Sequence, residues 1–131
     1  MARGDRRTVT GPSQRQLRVG ETVRRALADI LMRGEHHEPA LEGLSVTVAE
    51  VRCSPDLRQA TAYVMPLGGR DTERAIEALT EARGRLRLLV GRALTMKYTP
   101  ELRFVLDESF DRMDETRRIL NQDTVRRDLD P

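Results

Sequence analysis

The sequence predicts an α+β domain with one three-stranded sheet that helices cover on one face. Apolar residues recur at intervals of three and four in two long segments, and they alternate with polar residues in three short ones. Turn-forming residues separate these segments. A chain of 131 residues has room for one such core and its tails. The predicted order is helix, strand, strand, helix, kink, helix, strand, which buries every apolar stripe against a single sheet.

The first predicted helix begins after Ser13 and ends at Gly34. Ser13 and Gln16 have the spacing of a capping box, in which the serine hydroxyl accepts the Gln16 backbone N–H and the Gln16 side chain accepts the Ser13 N–H. Gly34 is the expected C-terminal cap, because glycine adopts the left-handed conformation without strain. Residues 1–12 show no hydrophobic periodicity, and we expect them to form a disordered basic tail.

Two strands follow the predicted loop of residues 35–43. Residues 44–48 alternate as a strand with one buried face does, and the alternation slips at residues 49–50, which predicts a β-bulge. The second strand covers residues 58–67. Its Pro66 indicates that the strand lies at an edge of the sheet or ends at this residue, because proline has no N–H to donate.

The second helical segment is predicted to be kinked. Asp71 or Thr72 is expected to cap its start. If the helix continued without a break, Leu88 would fall well off the buried stripe, so a kink at residues 82–84 must re-aim the second half. Residues 102–106 then alternate and form the third strand.

The domain is predicted to span residues 13–108. Residues 109–131 carry several carboxylates and only scattered apolar residues, and we expect an acidic helix followed by a flexible tail. The sequence contains no internal repeat.

No pattern typical of a catalytic or metal site is present. Cys53 is the only cysteine, which excludes a cysteine-based metal cluster, and it is expected to be a small buried side chain. His36 and His37 do not converge on one face, so we interpret them as a solvent-exposed loop pair. The acidic run 107–115 lacks the calcium-loop pattern, and nucleophile-elbow and phosphate-loop motifs are missing. We therefore predict a non-catalytic protein with no metal and no cofactor.

The sequence predicts a cytoplasmic protein without membrane contact. No apolar stretch approaches the roughly 20 residues that a membrane-spanning helix needs. The N-terminal residues contain no apolar signal segment.

Charge is arranged in blocks, although the formal net charge is only +2. Residues 1–33 carry 8 basic and 3 acidic side chains, and residues 83–106 carry 6 and 1. The intervening residues 34–82 carry 4 and 9, and residues 107–131 carry 5 and 8. Only Lys97 of the 23 basic residues is a lysine. Arginine binds phosphate with two parallel hydrogen bonds, which favours a nucleic-acid partner, although an arginine-rich genome gives the same bias.

The candidate RNA-binding residues cluster at the predicted kink and on the elements beside it. A glycine at a helix break lets another backbone approach closely, and the N–H groups that open the next helix suit phosphate. The alternative is that these charges cover the solvent face of an amphipathic helix. The predicted set is Arg15, Arg18, Ala82, Arg83, Gly84, Arg85, Arg87, Arg92, Lys97 and Arg103.

Over residues 14–110 the chain resembles the bacterial ribosome-binding factor A family. The features that carry the resemblance are the amphipathic first helix, PDLRQATAYV at residues 55–64, the Ala-Arg-Gly break at residues 82–84 and TPELRF at residues 99–104. The resemblance implies a type II KH-like fold, in which an Ala-x-Gly kink replaces the Gly-x-x-Gly loop of ordinary KH domains.

The resemblance also implies a function. Proteins of that family bind the small (30S) ribosomal subunit and its 16S rRNA late in assembly, assist processing of the 5′ region of the RNA, and leave before translation. We expect this chain to do so as a monomer. With aromatic residues at only 3%, we expect phosphate contacts and RNA shape to dominate over base stacking.

Two other classes of function remain open at this point. The chain could be a protein-interaction module that docks through an edge strand and the acidic segment 107–122. It could also be a small α+β enzyme, which a pocket lined by convergent titratable groups would reveal.

Overall fold

The computed structural model describes residues 11–67 and 71–108, which form the predicted α+β domain. A short 3₁₀ turn, Pro39–Leu41, lies in the loop after the first helix. The element order is the predicted one. Residues 1–10 and the acidic segment 109–131 lie outside the described residues. The helices and strands are α1 (Gln14–Arg33), β1 (Val46–Cys53), β2 (Gln59–Pro66), α2 (Thr72–Glu81), α3 (Arg83–Ala93) and β3 (Glu101–Leu106).

The sheet has the order β1-β2-β3, with β2 antiparallel to β1 and parallel to β3. Helices α2 and α3 form the crossover that a parallel pair requires. The register shifts between Val48 and Glu50, which confirms the predicted bulge. Pro66 is the last residue of β2. Because β2 is the central strand, the alternative that it lies at an edge is wrong, and proline is accepted where the ladder ends.

Helix α1 begins and ends as the sequence predicts. The Gln16 N–H donates to Ser13 Oγ at 3.1 Å, and the Ser13 N–H donates to Gln16 Oε1 at 2.8 Å. Gly34 closes the helix with a φ of 70°. The Gln16 side chain also donates to the carbonyl of Cys53 at 3.0 Å, which joins the start of α1 to the end of β1. Cys53 is only half-buried, contrary to expectation, and this burial raises the pKa of its thiol.

The core lies between the helices and one face of the sheet. Ala60, Ala62 and Val64 of β2 are fully buried, whereas the residues between them are half-exposed. Small side chains on the central strand let the helices approach the sheet closely. The large side chains that fill the remaining space include Val23, Leu27, Leu79, Leu86, Val90 and Phe104.

Gly20 marks the closest approach of α1 to the sheet. A Cβ at this position would lie 2.5 Å from the carbonyl oxygen of Val51 in β1, which is far inside van der Waals contact. Glycine is therefore required here for packing, and its low helix propensity is the cost of that contact. The periodicity of α1 left open whether Val19 or Gly20 lies on the buried stripe, and it did not indicate this constraint.

The histidine pair is divided between the interior and the surface. His37 is exposed, as predicted, but His36 is only 5% exposed. Its Nδ1 accepts the Glu38 N–H at 3.1 Å, and its carbonyl accepts from Arg85 Nε at 3.3 Å. The prediction of a solvent-exposed pair is wrong for His36, because the loop folds back against α3.

Asp71 precedes α2 at the predicted cap position. Its carbonyl accepts the Ala75 N–H at 3.0 Å, but its side chain forms no capping hydrogen bond. Its backbone has a φ of 51°, in the left-handed region, whereas a side-chain cap requires an extended residue. The predicted side-chain cap is therefore wrong.

Candidate nucleic-acid interface

A basic groove runs along the exposed side of α3, between the helix and the segment that leads to β3. Its volume is about 460 Å³. Among residues 11–67 and 71–108, no carboxylate lines it. We call it the α3 groove, and its lining residues are Gly84, Arg87, Leu88, Gly91, Arg92, Lys97, Tyr98 and Thr99.

Arg87 holds the two walls of the α3 groove together. Its Nε and Nη2 donate to the carbonyl of Thr99 at 3.0 and 2.8 Å. Its guanidinium also lies over the ring of Tyr98, 5.1 Å from the centroid. Since guanidinium has five N–H donors, this anchoring leaves others for a ligand.

Gly91 allows the segment before β3 to fold onto α3. A Cβ at Gly91 would lie 2.7 Å from Thr99 Oγ1. The partner of Gly91 is therefore Thr99, and the close contact sets the width of the α3 groove.

Arg92 and Lys97 are the exposed cations of the α3 groove. Among residues 11–67 and 71–108, the ion pairs involve arginines of α1 and β1 and neither of these two. Within this part of the chain, no carboxylate forms an ion pair with either of them. The exposed pair can bind phosphate. This binding weakens as the salt concentration rises, because the release of counterions then becomes less favourable.

The predicted kink lies at one end of the α3 groove. Ala82 separates α2 from α3 with φ −85° and ψ 0°, and its side chain is only 2% exposed. Arg83 and Gly84 are exposed, and no atom lies within 4 Å of a Cβ placed on Gly84. A side chain at Gly84 would therefore not strain the kink. Ala82 packs into the core, whereas Gly84 presents bare backbone to the exterior.

Arg85 points away from the α3 groove. It is half-buried and donates to the carbonyl of His36, on the loop after α1. The structure therefore gives Arg85 a contact within the protein, and it does not join Arg92 and Lys97 around one site.

Arg83 and Arg103 meet in a second, smaller depression of about 360 Å³ at the start of β3. Glu101 also lines this depression. Arg103 borders a further hollow that contains Glu73 and Glu77. Carboxylates next to these arginines lower the local positive potential, which distinguishes this area from the α3 groove.

Arg15 and Arg18 are exposed in the first turns of α1. The contact of Gln16 with Cys53 fixes this end of the helix at the end of β1. In the sheet, Cys53 of β1 lies opposite Ala60 of β2, and Ala60 lies opposite Leu102 of β3. Arg15 and Arg18 therefore lie at the same end of the domain as the segment that forms the α3 groove.

The next arginines of α1, Arg24 and Arg25, share one carboxylate of the same helix. Glu21 accepts from Arg24 Nε at 2.9 Å and from Arg24 Nη2 at 2.6 Å, and it also accepts from Arg25 Nε at 3.2 Å. The hydrogen bonds from Arg24 are the main cause that lowers the pKa of Glu21 to about 2. The carboxylate thus stays charged at neutral pH, and the available positive charge of α1 is concentrated in its first turns.

Tyr98 and Leu88 are groove residues that the sequence did not single out. Their side chains are 47% and 48% exposed. The kink was expected to turn Leu88 toward the core, which its exposure contradicts, and no pattern showed that Tyr98 would lie in the same groove. Their proximity arises from the contact between Gly91 and Thr99.

The described residues show neither a metal cluster nor a membrane helix. No group of three or more His, Cys, Asp or Glu side chains within residues 11–67 and 71–108 is arranged to hold a metal ion. No helix in the same residues has the length and apolar character needed to cross a bilayer.

Arg87→Ala is expected to lower the free energy of unfolding by about 1–2 kcal/mol, because it removes two charged hydrogen bonds to Thr99. Urea denaturation measures this change, with Arg92→Ala as the exposed control. Equal midpoints for both variants would contradict the anchoring role of Arg87.

Comparison with known proteins finds one family that matches most of the chain. The family model described as ribosome-binding factor A matches residues 15–120. The chain belongs to the ribosome-binding factor A family. The resemblance that the sequence motifs carried is thereby confirmed.

Ribosome-binding factor A proteins of other bacteria are similar over almost the whole chain. The protein of Paracoccus denitrificans is 64% identical over 121 residues, which cover 92% of this chain and 88% of the relative. The protein of Dinoroseobacter shibae is 58% identical over 130 residues, which cover 99% and 96%. The similarity therefore includes the groove and the kink.

Solved structures of ribosome-binding factor A share the fold. The crystal structure from Thermus thermophilus is 31% identical, with a TM-score of 0.58, and the match covers 70% of this chain and 94% of that one. A homology model of the Thermus thermophilus protein, fitted into a cryo-EM map of its complex with 30S, is 30% identical with a TM-score of 0.55, and the match covers 68% of this chain and 91% of that one.

Proposed function

We propose that this chain binds the small (30S) ribosomal subunit through its 16S rRNA during late maturation. It assists processing of the 5′ region of that RNA as a non-catalytic factor. The observation that carries the proposal is the α3 groove, which three basic side chains line without any carboxylate. Membership of the ribosome-binding factor A family supports it, as does the 30S complex of the Thermus thermophilus relative.

Phosphate contacts position the domain on the RNA. Arg92 and Lys97 are exposed and bind backbone phosphates, whereas Arg87 presents its remaining donors from a fixed position. Arg15 and Arg18, at the same end of the domain, extend the positive surface. Specificity comes from the shape of the RNA and from its ribosomal surroundings.

The kink provides a place where RNA backbone can approach the protein closely. Gly84 has no neighbour within 4 Å of a Cβ position, so the space beside it is open to a ligand. Arg83 is exposed next to this opening and adds charge.

Cosedimentation with immature and mature small subunits at several salt concentrations tests the proposed function. We expect stronger binding to the immature subunit and an affinity that falls steadily with salt, because phosphate contacts release counterions. Equal affinity at all salt concentrations would contradict an RNA interface. A loss of binding after partial protease treatment of the subunit, with its rRNA intact, would instead point to a ribosomal protein as the partner.

Gly84→Ala is expected to weaken subunit binding about tenfold, since a side chain pressed into a close backbone contact costs about 1–3 kcal/mol. The variant should fold normally because the position is open in the free protein. The matched control is Glu81→Ala, an exposed substitution on the other side of the kink. If Gly84→Ala binds like the unchanged protein, the RNA backbone does not approach this glycine.

A further inference from the structure

Tyr98 combines exposure with a fixed position. Its ring is 47% exposed, and the Arg87 guanidinium lies 5.1 Å from its centroid. Arg87 itself is fixed by two hydrogen bonds to the neighbouring carbonyl of Thr99. The ring is thus held in place before any ligand binds, which reduces the entropy that binding would otherwise cost.

The surroundings of Tyr98 match the two parts of a nucleotide. Leu88 is 48% exposed in the same groove and provides apolar surface beside the ring. Arg92 and Lys97 provide positive charge at the rim. An apolar platform suits a base, and adjacent cations suit the phosphates that flank it.

We propose that the α3 groove takes an unpaired RNA nucleotide, with its base stacked on Tyr98 and Leu88 and its phosphates bound by Arg92 and Lys97. This inference rests on the proposed function and adds the class of RNA that the groove recognises. A single strand fits this site because its bases can be splayed out, whereas the base faces of a duplex are covered by their neighbours.

Stacking on Tyr98 adds a base contact to the phosphate contacts and RNA shape that are expected to dominate binding. That expectation followed from the low aromatic content of the sequence, 3%. One aromatic ring is sufficient for one base, provided that the fold exposes it and fixes it. The contact of Gly91 with Thr99 achieves this by folding the segment that carries Tyr98 onto α3.

Tyrosine fluorescence tests the stack directly, because Tyr63 and Tyr98 are the only tyrosines and the chain has no tryptophan. In the full chain with Tyr63→Phe, the emission therefore reports on Tyr98 alone. Addition of single-stranded RNA is expected to quench this emission, whereas an RNA duplex of the same sequence should quench it little. Equal quenching by both, or no quenching by bound single strand, would overturn the proposal.

The affinity of the full chain for the same single strand gives a second test. Tyr98→Ala and Tyr98→Leu are expected to lower the affinity about tenfold, and Tyr98→Phe should retain it because phenylalanine keeps the aromatic face. Tyr98→Leu retains bulk on the groove wall, so it separates loss of stacking from loss of packing. A Tyr98→Leu variant with unchanged affinity would contradict base stacking.

An abasic strand separates this inference from the proposed function. The unchanged protein should bind the abasic strand about tenfold more weakly than the intact one, and Tyr98→Ala should cause no further loss on it. If the Arg92→Ala, Lys97→Ala double variant loses affinity while Tyr98→Ala does not, the stack is refuted and the proposed function stands. If neither variant loses affinity for RNA or for the subunit, both proposals fail.

Discussion

Replacing Arg92 and Lys97 together with alanine is expected to cause the largest loss of subunit binding. Each phosphate contact contributes about 0.7 to 0.9 to the slope of log affinity against log salt. Two lost contacts flatten the slope by about 1.4 to 1.8. If the variant and the unchanged protein bind equally at about 1 M salt, the variant then binds about 25- to 60-fold more weakly at about 0.1 M salt. Cosedimentation or fluorescence anisotropy across a salt series measures both quantities.

The matched control for this pair is Arg25→Ala with Arg33→Ala. These arginines are also exposed and lie on α1, and each pairs with a carboxylate of its own helix, Glu21 or Asp29. The control removes the same formal charge, so it measures the long-range effect of net charge alone. A loss in the control as large as that in the groove variant would show that general charge, and not the α3 groove, determines binding.

Gly20→Ala is expected to have the largest effect on stability among the single substitutions considered. The new Cβ would lie 2.5 Å from the Val51 carbonyl oxygen, and this neighbour is backbone that cannot rotate away. Because the contacted atom is backbone, the cost of overpacking lies near the upper end of its range of about 1–3 kcal/mol, above the gain of about 1 kcal/mol from replacing glycine in a helix. We expect a lower free energy of unfolding and a melting temperature reduced by several degrees.

Gly84→Ala is the control for this prediction, because it makes the same chemical change in another helix. Its Cβ meets no atom within 4 Å, so only the gain in helix propensity remains, about 1 kcal/mol. Thermal unfolding should therefore move in opposite directions for the two variants. Stabilisation by Gly20→Ala would contradict the prediction, because it would show that α1 can move away from β1 without loss of stability.

Much of the fold could be predicted because local patterns determine it. The capping box at Ser13, the αL cap at Gly34 and the bulge near Glu50 each depend on residues close in sequence, and all three are present. The kink was predicted because a straight helix would leave Leu88 exposed, although Leu88 remains exposed after the bend. Bending therefore does not bury this leucine, and its place is the wall of a groove.

The parts that could not be predicted depend on contacts between distant segments. His36 is buried because its loop packs against α3, and nothing in its local pattern indicates this contact. The central position of β2 follows from pairing with β3, about 40 residues further along the chain. Net charge and periodicity likewise could not separate Arg92, which is exposed, from Arg87, which holds the groove together.

The most direct measurement is hydroxyl-radical probing from an iron chelate attached to the protein on the 30S subunit. The native cysteine is first removed by Cys53→Ser. One protein then carries the chelate at Thr95→Cys, an exposed position in the segment beside the α3 groove. A second protein carries it at Met32→Cys, where Met32 is 81% exposed at the far end of α1. We expect Thr95→Cys to cleave 16S rRNA strongly and Met32→Cys weakly. Strong cleavage from Met32→Cys alone, with both proteins bound, would contradict the assignment of the α3 groove as the RNA-binding surface.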